Sequence, residues 1–340
     1  MQSRLAKRLA SPVSEIGLGC WQLGSADWGQ VSDSAAFEIL QSALDGGVTF
    51  IDTADVYGSG HSEALIGRFL KTLPAAKTDS LFIASKLGRL HGFPDAYSET
   101  LFRDDTKASV DRLGHAIDLH QLHCVPPAVL QAGHVFDWLR KLKSEGLIKH
   151  FGASVESMDE AHTCLQHPDV DALQIIFNIF RQKPIDELFA EAKEKGVALI
   201  VRLPLASGLL AGKYTTATSF PEKDHRNYNR DGKFFNVGET FAGIPFEKAV
   251  RLATAIKPYL GIAPATAEPV NAAGASMADL AIRWILDHDA ITTVIPGATK
   301  PQQARSNVRA SSLPPLAPAV HNALRDFYAK QVQQYIRGPY

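Results

Sequence analysis

Eight short runs rich in β-branched and aliphatic residues recur along the 340 residues, each separated from the next by a longer amphipathic stretch. The runs are EIGLG (15–19), VTFID (48–52), SLFIASK (80–86), AIDLHQLH (116–123), IKHFGAS (148–154), ALQIIFN (172–178), VALIVRLPL (197–205) and ITTVIPG (291–297). Between and after them the apolar spacing fits helices: one opened by Ser34 and closed by Gly46 and Gly47, and others at 62–71, 133–145, 186–195, 276–288 and 301–310. Strands joined by crossover helices lie parallel. Eight such units in one chain point to an α/β architecture, a (β/α)8 TIM barrel, more than to an open doubly wound sheet. Barrels of about 250 residues or more fold as one unit, so a single domain over 1–340 is expected. Residues 206–275 break the rhythm with Gly, Pro and Ala punctuation, the aromatics Phe234, Phe235 and Phe241, a helical stretch near 245–259 and a proline-broken loop at 261–275. This is a long loop insertion after the seventh strand, of the kind that usually serves a site, and a C-terminal tail follows the last helix.

In a parallel barrel the chemistry gathers at the carboxyl ends of the strands. Asp52, Lys86 and His123 end the second, third and fourth strands, and Tyr57 follows Asp52 by five residues. Singly, each has an ordinary explanation: a turn cap, a solvated ammonium, a hydrogen-bonded wall residue. Together they form a coherent set. A tyrosine with a pKa of about 10 is a poor acid at neutral pH. An ammonium within ~4 Å, at an effective dielectric of ~20, would favour its anion by up to ~4 kcal/mol, about three pKa units. Lys86 is thus expected to bring Tyr57 toward working pH, with Asp52 keeping the lysine charged. His123 would then hold a substrate carbonyl oxygen beside the phenol.

Two other readings compete. His120 and His123 form HxxH, but residues three apart on a strand point to opposite faces, so Asp118 and His120 should lie outward when His123 faces in, and no metal is expected. GLGCWQLG (17–24) misses the Gly-x-Gly-x-x-Gly spacing that seats a pyrophosphate. Gly17 and Gly19 more simply relieve crowding where the barrel starts.

The segments DTADVYGSGHSEALIGRFL (52–70), IASK (83–86) and DLHQLH (118–123) resemble the aldo-keto reductase family. The resemblance continues through GAS (152–154), LQIIFN (173–178), RLPLASGLLAGKY (202–214) and IPGATKPQQARSN (295–307), so it covers nearly the whole chain in order. It implies a barrel that binds an extended nicotinamide cofactor without a Rossmann domain and reduces small aldehydes or ketones to alcohols, reversibly. The family's catalytic four fall on Asp52, Tyr57, Lys86 and His123, with Tyr57 as general acid. The alternative is an NADP-binding regulatory or redox-sensing subunit with little turnover; the complete set of four, including His123, favours turnover.

The resemblance also assigns the cofactor, NADP (NADPH), to particular residues. Ser154 and Gln174 match positions holding the nicotinamide carboxamide, and Arg202 matches a position that places a flat group against the ring, where a guanidinium plane stacks similarly. Cys20, Trp21 and Asp52, then Leu203, Pro204, Leu205, Ala206 and Gly208, count among the contact positions, and Lys213 matches a pyrophosphate-contacting lysine. Gly297, Thr299 and Lys300 precede a helix whose first turn is suited to Pro301, so its free N–H groups would face an anion; Lys300 and Thr299 then suit a 2'-phosphate. Gln303 and Asn307 match positions near the adenosine. Two departures stand out: Val155 replaces a common polar partner of the carboxamide, and Ser306 a common glutamate.

Composition bounds the partners. With 35 basic and 36 acidic residues the formal charge is -1, which leaves no global positive field for a phosphate backbone, so nucleic acid is not expected. No apolar run reaches the ~18 residues of a membrane span, and MQSRLAKRLASP lacks a secretory apolar stretch; no membrane association and a cytoplasmic location are expected. Cys20, Cys124 and Cys164 are too scattered for a disulfide framework or a structural zinc. Trp21, Trp28, Phe234, Phe235, Phe241, Tyr335 and Tyr340 are the candidates to wall a pocket for a small carbonyl or alcohol substrate.

Overall fold

The computed structural model describes residues 1–340 apart from 25, 26, 30, 264–268, 270 and 272, so much of the 261–275 loop lies outside the described residues. Eight strands run in chain order around one sheet: β1 (Leu18–Gly19), β2 (Phe50–Asp52), β3 (Phe82–Leu87), β4 (Ile117–His123), β5 (Ile148–Ser154), β6 (Ala172–Ile176), β7 (Ala198–Arg202) and β8 (Ile291–Val294). Every neighbouring pair is parallel. Parallel bridges Ile16–Val294 and Gly19–Gly297 bring β8 back to β1 and close the barrel. The crowding at that closure explains the glycines: a Cβ on Gly17 would sit 2.8 Å from the Phe50 carbonyl oxygen, and one on Gly19 2.8 Å from that of Ile295.

Alternation along each strand separates two cores. Phe50, Phe82, Ala84, Leu119, Ala172, Ala198, Ile200 and Ile295 fill the barrel interior together with Leu9 and Val13. The last two come from an N-terminal antiparallel hairpin, Ser3–Arg4 with Val13–Ser14, that plugs the amino end of the strands. Ile51, Ile83, Leu122, Ala153, Leu173, Leu199 and Val201 face the other way, into the helices. These include α1 (Asp33–Asp45), α2 (His61–Leu70), α3 (Glu99–Leu113), α4 (His134–Ser144), α5 (Met158–Leu165), α6 (Phe189–Lys195), α7 (Met277–Leu286) and α8 (Pro301–Arg309). The N-cap of α1 is Ser32 and not Ser34: Ser32 is extended, and its hydroxyl accepts from the Ala35 N–H.

β7 ends at Arg202 and not at residue 205, because Leu203 turns to a φ of 54°. Ala206 and Ser207 also have positive φ, a run of non-glycine residues in the left-handed region at a cost of order 1 kcal/mol or more each. The insertion then forms a helix at Phe246–Ile256 and several single turns, one of them Val237–Glu239. Phe241 is buried against Phe220 and Phe246. Among the described residues no helix is long and apolar enough to cross a membrane.

Candidate active site

Strand parity aims the polar residues inward. Phe50 and Ala84 belong to the interior core, so Asp52 and Lys86, two residues further along, face the same way; Leu119 does the same for Gln121 and His123. His120 and Asp118 point outward as expected, Asp118 accepting from the Ile83 N–H and from Lys149. Tyr57 is set by the turn after β2, where Gly58, Ser59 and Gly60 take positive φ; a Cβ on Gly58 would lie 1.8 Å from the Gly24 carbonyl oxygen.

The four residues converge. Lys86 Nζ donates to Asp52 Oδ1 at 2.5 Å and to the Thr53 carbonyl at 2.8 Å, and lies 3.4 Å from the Tyr57 hydroxyl. The Tyr57 ring meets His123 edge to face at 5.8 Å and stacks on Trp21 at 6.0 Å. Asp52 Oδ2 accepts from Gln174 Nε2 at 2.8 Å and from Gln121 Nε2 at 3.3 Å, so the carboxylate is held from two sides. Burial works against the Lys86 ammonium, yet Asp52 and Tyr57 outweigh it and raise its pKa.

Tyr57 departs from the expectation. Its pKa is raised, not lowered: burial dominates, and Asp52 and Glu239 add to it against the pull of Lys86. The single-ion argument left out the desolvation of the phenolate and the nearby carboxylates. His123 is neutral, its pKa well below the ordinary value through burial and the cations Arg89, Lys86 and Arg202, and its Nδ1 is buried without a hydrogen-bond partner.

A cavity of about 880 Å3 runs from these side chains to the start of α8, a volume in the range of small-molecule and cofactor sites. Cys20, Trp21, Asp52, Tyr57, His123 and Gln174 line one end; Leu203, Pro204, Leu205, Gly208 and Lys213 line its side; Gly297, Thr299, Gln303 and Asn307 line the far end. Trp28, Phe234 and Phe235 are walls too, whereas Tyr335 packs near Lys248 and Tyr340 stacks on Arg181. Ser154 is buried behind the wall, its hydroxyl near the Cys124 thiol, and Ala206 is likewise buried. Gln174 Nε2 donates to Asp52 Oδ2 and to the side-chain oxygen Oε1 of Gln121. At the α8 terminus Gln303 Oε1 accepts from both the Thr299 N–H and its hydroxyl, Asn307 donates to the Gly297 carbonyl, and Lys300 is exposed at the N-cap.

Four charged residues beside His123 were not anticipated as a group. Glu239, from the insertion, pairs with Arg89 Nη2 at 3.2 Å and with Arg202 Nη1 at 3.3 Å, and Glu156 pairs with the same Arg89 nitrogen at 3.3 Å. Arg202 is therefore paired rather than open. Burial opposes the Glu239 charge, but the two guanidiniums hold its pKa low; burial and Glu239 push Glu156 up to about 7. Gln121 could have been found from its parity with His123, and Arg89 and Glu156 from their places just past strand ends. Nothing in the insertion singles out Glu239.

A family model described as "Aldo/keto reductase family" matches residues 15–329. The chain is 29% identical to "Aldo-keto reductase YhdN" of Bacillus subtilis over 86% of this chain and 83% of that one. It is 28% identical to an Escherichia coli "NADH-specific methylglyoxal reductase" over 88% and 90%. Among solved structures, a glycerol dehydrogenase from Gluconobacter oxydans superimposes with a TM-score of 0.75 at 25% identity, covering 99% of this chain and 98% of the other. A closed parallel barrel, the four converging side chains and a family match across nearly the whole sequence agree, and the chain belongs to the aldo/keto reductase family of oxidoreductases.

Proposed function

We propose that this oxidoreductase reduces small aldehydes or ketones to alcohols with NADPH, Tyr57 acting as the general acid. The observation that carries the reading is the Lys86 ammonium, shared between Asp52 and the Tyr57 hydroxyl next to a neutral His123. A bound reduced nicotinamide supplies the hydride. The chain's own groups do the rest: the Tyr57 O–H protonates the carbonyl oxygen, the unsatisfied imidazole of His123 orients that oxygen, and Lys86 offsets negative charge on the phenol oxygen as the proton leaves. A raised pKa keeps the phenol protonated before the reaction, which an acid requires.

The fit to a dinucleotide rests on the elongated cavity and on what lines it. Leu203 to Leu205, Gly208 and Lys213 would flank the middle of the cofactor, with Trp21, Gln174 and Arg202 at the nicotinamide end. The start of α8 would take the adenosine phosphate, Lys300 supplying charge once Gln303 turns off the Thr299 N–H. The preference for NADPH is the finer part of this reading, because one relative is named as NADH-specific. Lys300→Ala should raise the KM for NADPH at least tenfold more than that for NADH; equal losses would remove the phosphate assignment.

Tyr57→Phe tests the acid. It should leave NADPH binding near the parent value while removing most of the roughly 10² to 10⁴ in rate that a positioned general acid supplies. A variant that still reduces butanal within a few-fold of the parent would show the assignment to be wrong.

A further inference from the structure

In the charged group beside His123, the carboxylates of Glu156 and Glu239 pair with Arg89 and Arg202 and not with a tetrad residue. Arg89, Arg202, Glu156 and Glu239 all line the cavity that Tyr57 and His123 line. Salt-bridge distances of 3.2 to 3.3 Å between them are slack beside the 2.7 to 2.9 Å of a tight charged hydrogen bond. Both carboxylates crowd onto one nitrogen of Arg89, and Arg202 Nε is buried with no hydrogen-bond partner. Arg202 Nη2 is turned to the Val155 carbonyl at 3.4 Å, which leaves Arg202 Nε as donor capacity that the resident groups do not use.

The site's charge balance says what it would accept. With both carboxylates ionised the four groups sum to zero; with Glu156 protonated they carry one positive charge and have room for one more anion. The groups facing Glu156 are Arg89 from the loop after β3, Arg202 at the end of β7, Glu239 from the insertion and the Cys124 thiol after β4; the thiol itself is pushed up to about 11, chiefly by burial, and stays neutral. A metal ion does not suit the cluster of Cys124, Glu156 and Glu239, because two guanidiniums already neutralise it.

We infer that Arg89 and Arg202 form a receptor for an anionic group carried by the substrate, a carboxylate a few bonds from the reacting carbonyl, and that Glu156 takes up a proton when that anion binds. This deepens the carbonyl-reductase reading and rests on it for the identity of the bound molecule as substrate. Aromatic walls at Trp21 and Phe235, the latter 5.8 Å from the Arg89 guanidinium, would cover the chain between the two ends. An unsubstituted apolar aldehyde would leave the charged group without a ligand.

Calorimetry on the full chain with NADPH present separates this from turnover. Butanoate and its neutral isostere butanamide, neither of them reducible at this site, are titrated at pH 6 and pH 8 in buffers of different ionisation enthalpy. Butanoate should bind at least tenfold tighter than butanamide at pH 6. At pH 8 its binding should weaken and take up close to one proton, an uptake that disappears in Glu156→Gln. Equal affinities for the two molecules, tighter binding of butanamide, or butanoate binding without proton uptake at pH 8 would each overturn the inference. In parallel, 4-oxobutanoate should be reduced with a kcat/KM that exceeds that of butanal at pH 6 and loses this advantage by up to about tenfold per pH unit above neutrality. Failure to reduce either butanal or 4-oxobutanoate at any pH would count against the carbonyl-reductase reading, while the calorimetry still decides the anion receptor.

Discussion

Asp55 lies between two members of the tetrad in sequence and takes no part in it. Both of its carboxylate oxygens are buried without a hydrogen-bond partner, helped only weakly by the Val56 backbone, and burial, with Glu63 and Asp105 nearby, raises its pKa to about 8. A folded pKa above the unfolded value of 3.8 means that protonation favours the fold. The stability it confers is complete below about pH 4 and is lost as pH rises through about 8. Asp55→Asn keeps the shape and removes the ionisation. Its stability relative to the parent should therefore be near zero at pH 4 and grow to at most about 5 to 6 kcal/mol by pH 8, read from denaturant melts across that range; a difference that does not change with pH would contradict the assignment. Asp55 also shows why DTADVYG yielded only part of the site. Asp52 and Tyr57 could be recognised from spacing, but whether the intervening carboxyl is solvated or stranded depends on Glu63 and Asp105, which come from α2 and α3.

At the level of elements, the strands were legible because β-branched runs at regular intervals leave few alternatives, and inward parity carried Asp52, Lys86 and His123 with them. The insertion was not legible in the same way. Its course is fixed by contacts with the tail, which no periodicity encodes. Arg337 Nε donates to the Gly243 carbonyl at 2.9 Å, Nη1 pairs with Asp231 at 2.8 Å and Nη2 reaches the Arg230 carbonyl at 3.1 Å. These bonds brace the segment that presents Glu239 to Arg89 and Arg202. Such a segment can open locally without unfolding the barrel. Arg337→Ala should thus speed proteolytic nicking between residues 230 and 243 and raise substrate KM several-fold, with kcat and the main melting transition little changed. A large fall in melting temperature with unaltered KM would place Arg337 in the global fold instead. The Tyr57 pKa shows the same limit: burial raises it most, and of the charges around it an element-by-element reading supplied Lys86 but not Glu239, which arrives with the insertion 182 residues further on.

The barrel as a whole depends on closing its first strand onto its last, and that seam is polar. Glu15, fully buried, accepts from Arg4 Nε at 2.9 Å through one oxygen and from the Ser311 hydroxyl at 2.8 Å through the other, while its carbonyl accepts from the Val294 N–H. Arg4 in turn donates to the carbonyls of Leu286 and Ile291, which flank the start of β8. One hairpin arginine therefore ties the plug, the approach to β1 and the entry to β8 together at the end of the barrel opposite the tetrad. Removing it would leave the Glu15 carboxylate buried with a single hydroxyl, and breaking a buried pair in this way costs about 3 to 5 kcal/mol. Arg4→Ala should lower global stability by that order while kcat/KM at 25 °C stays close to the parent, since the folded molecules keep the site intact. Adding Glu15→Gln should restore part of the loss, because a neutral amide is far less costly to bury than an unpaired charge. Should the double variant be no more stable than Arg4→Ala alone, the seam would owe its strength to the arginine's bonds with the Leu286 and Ile291 carbonyls and not to the charge of Glu15.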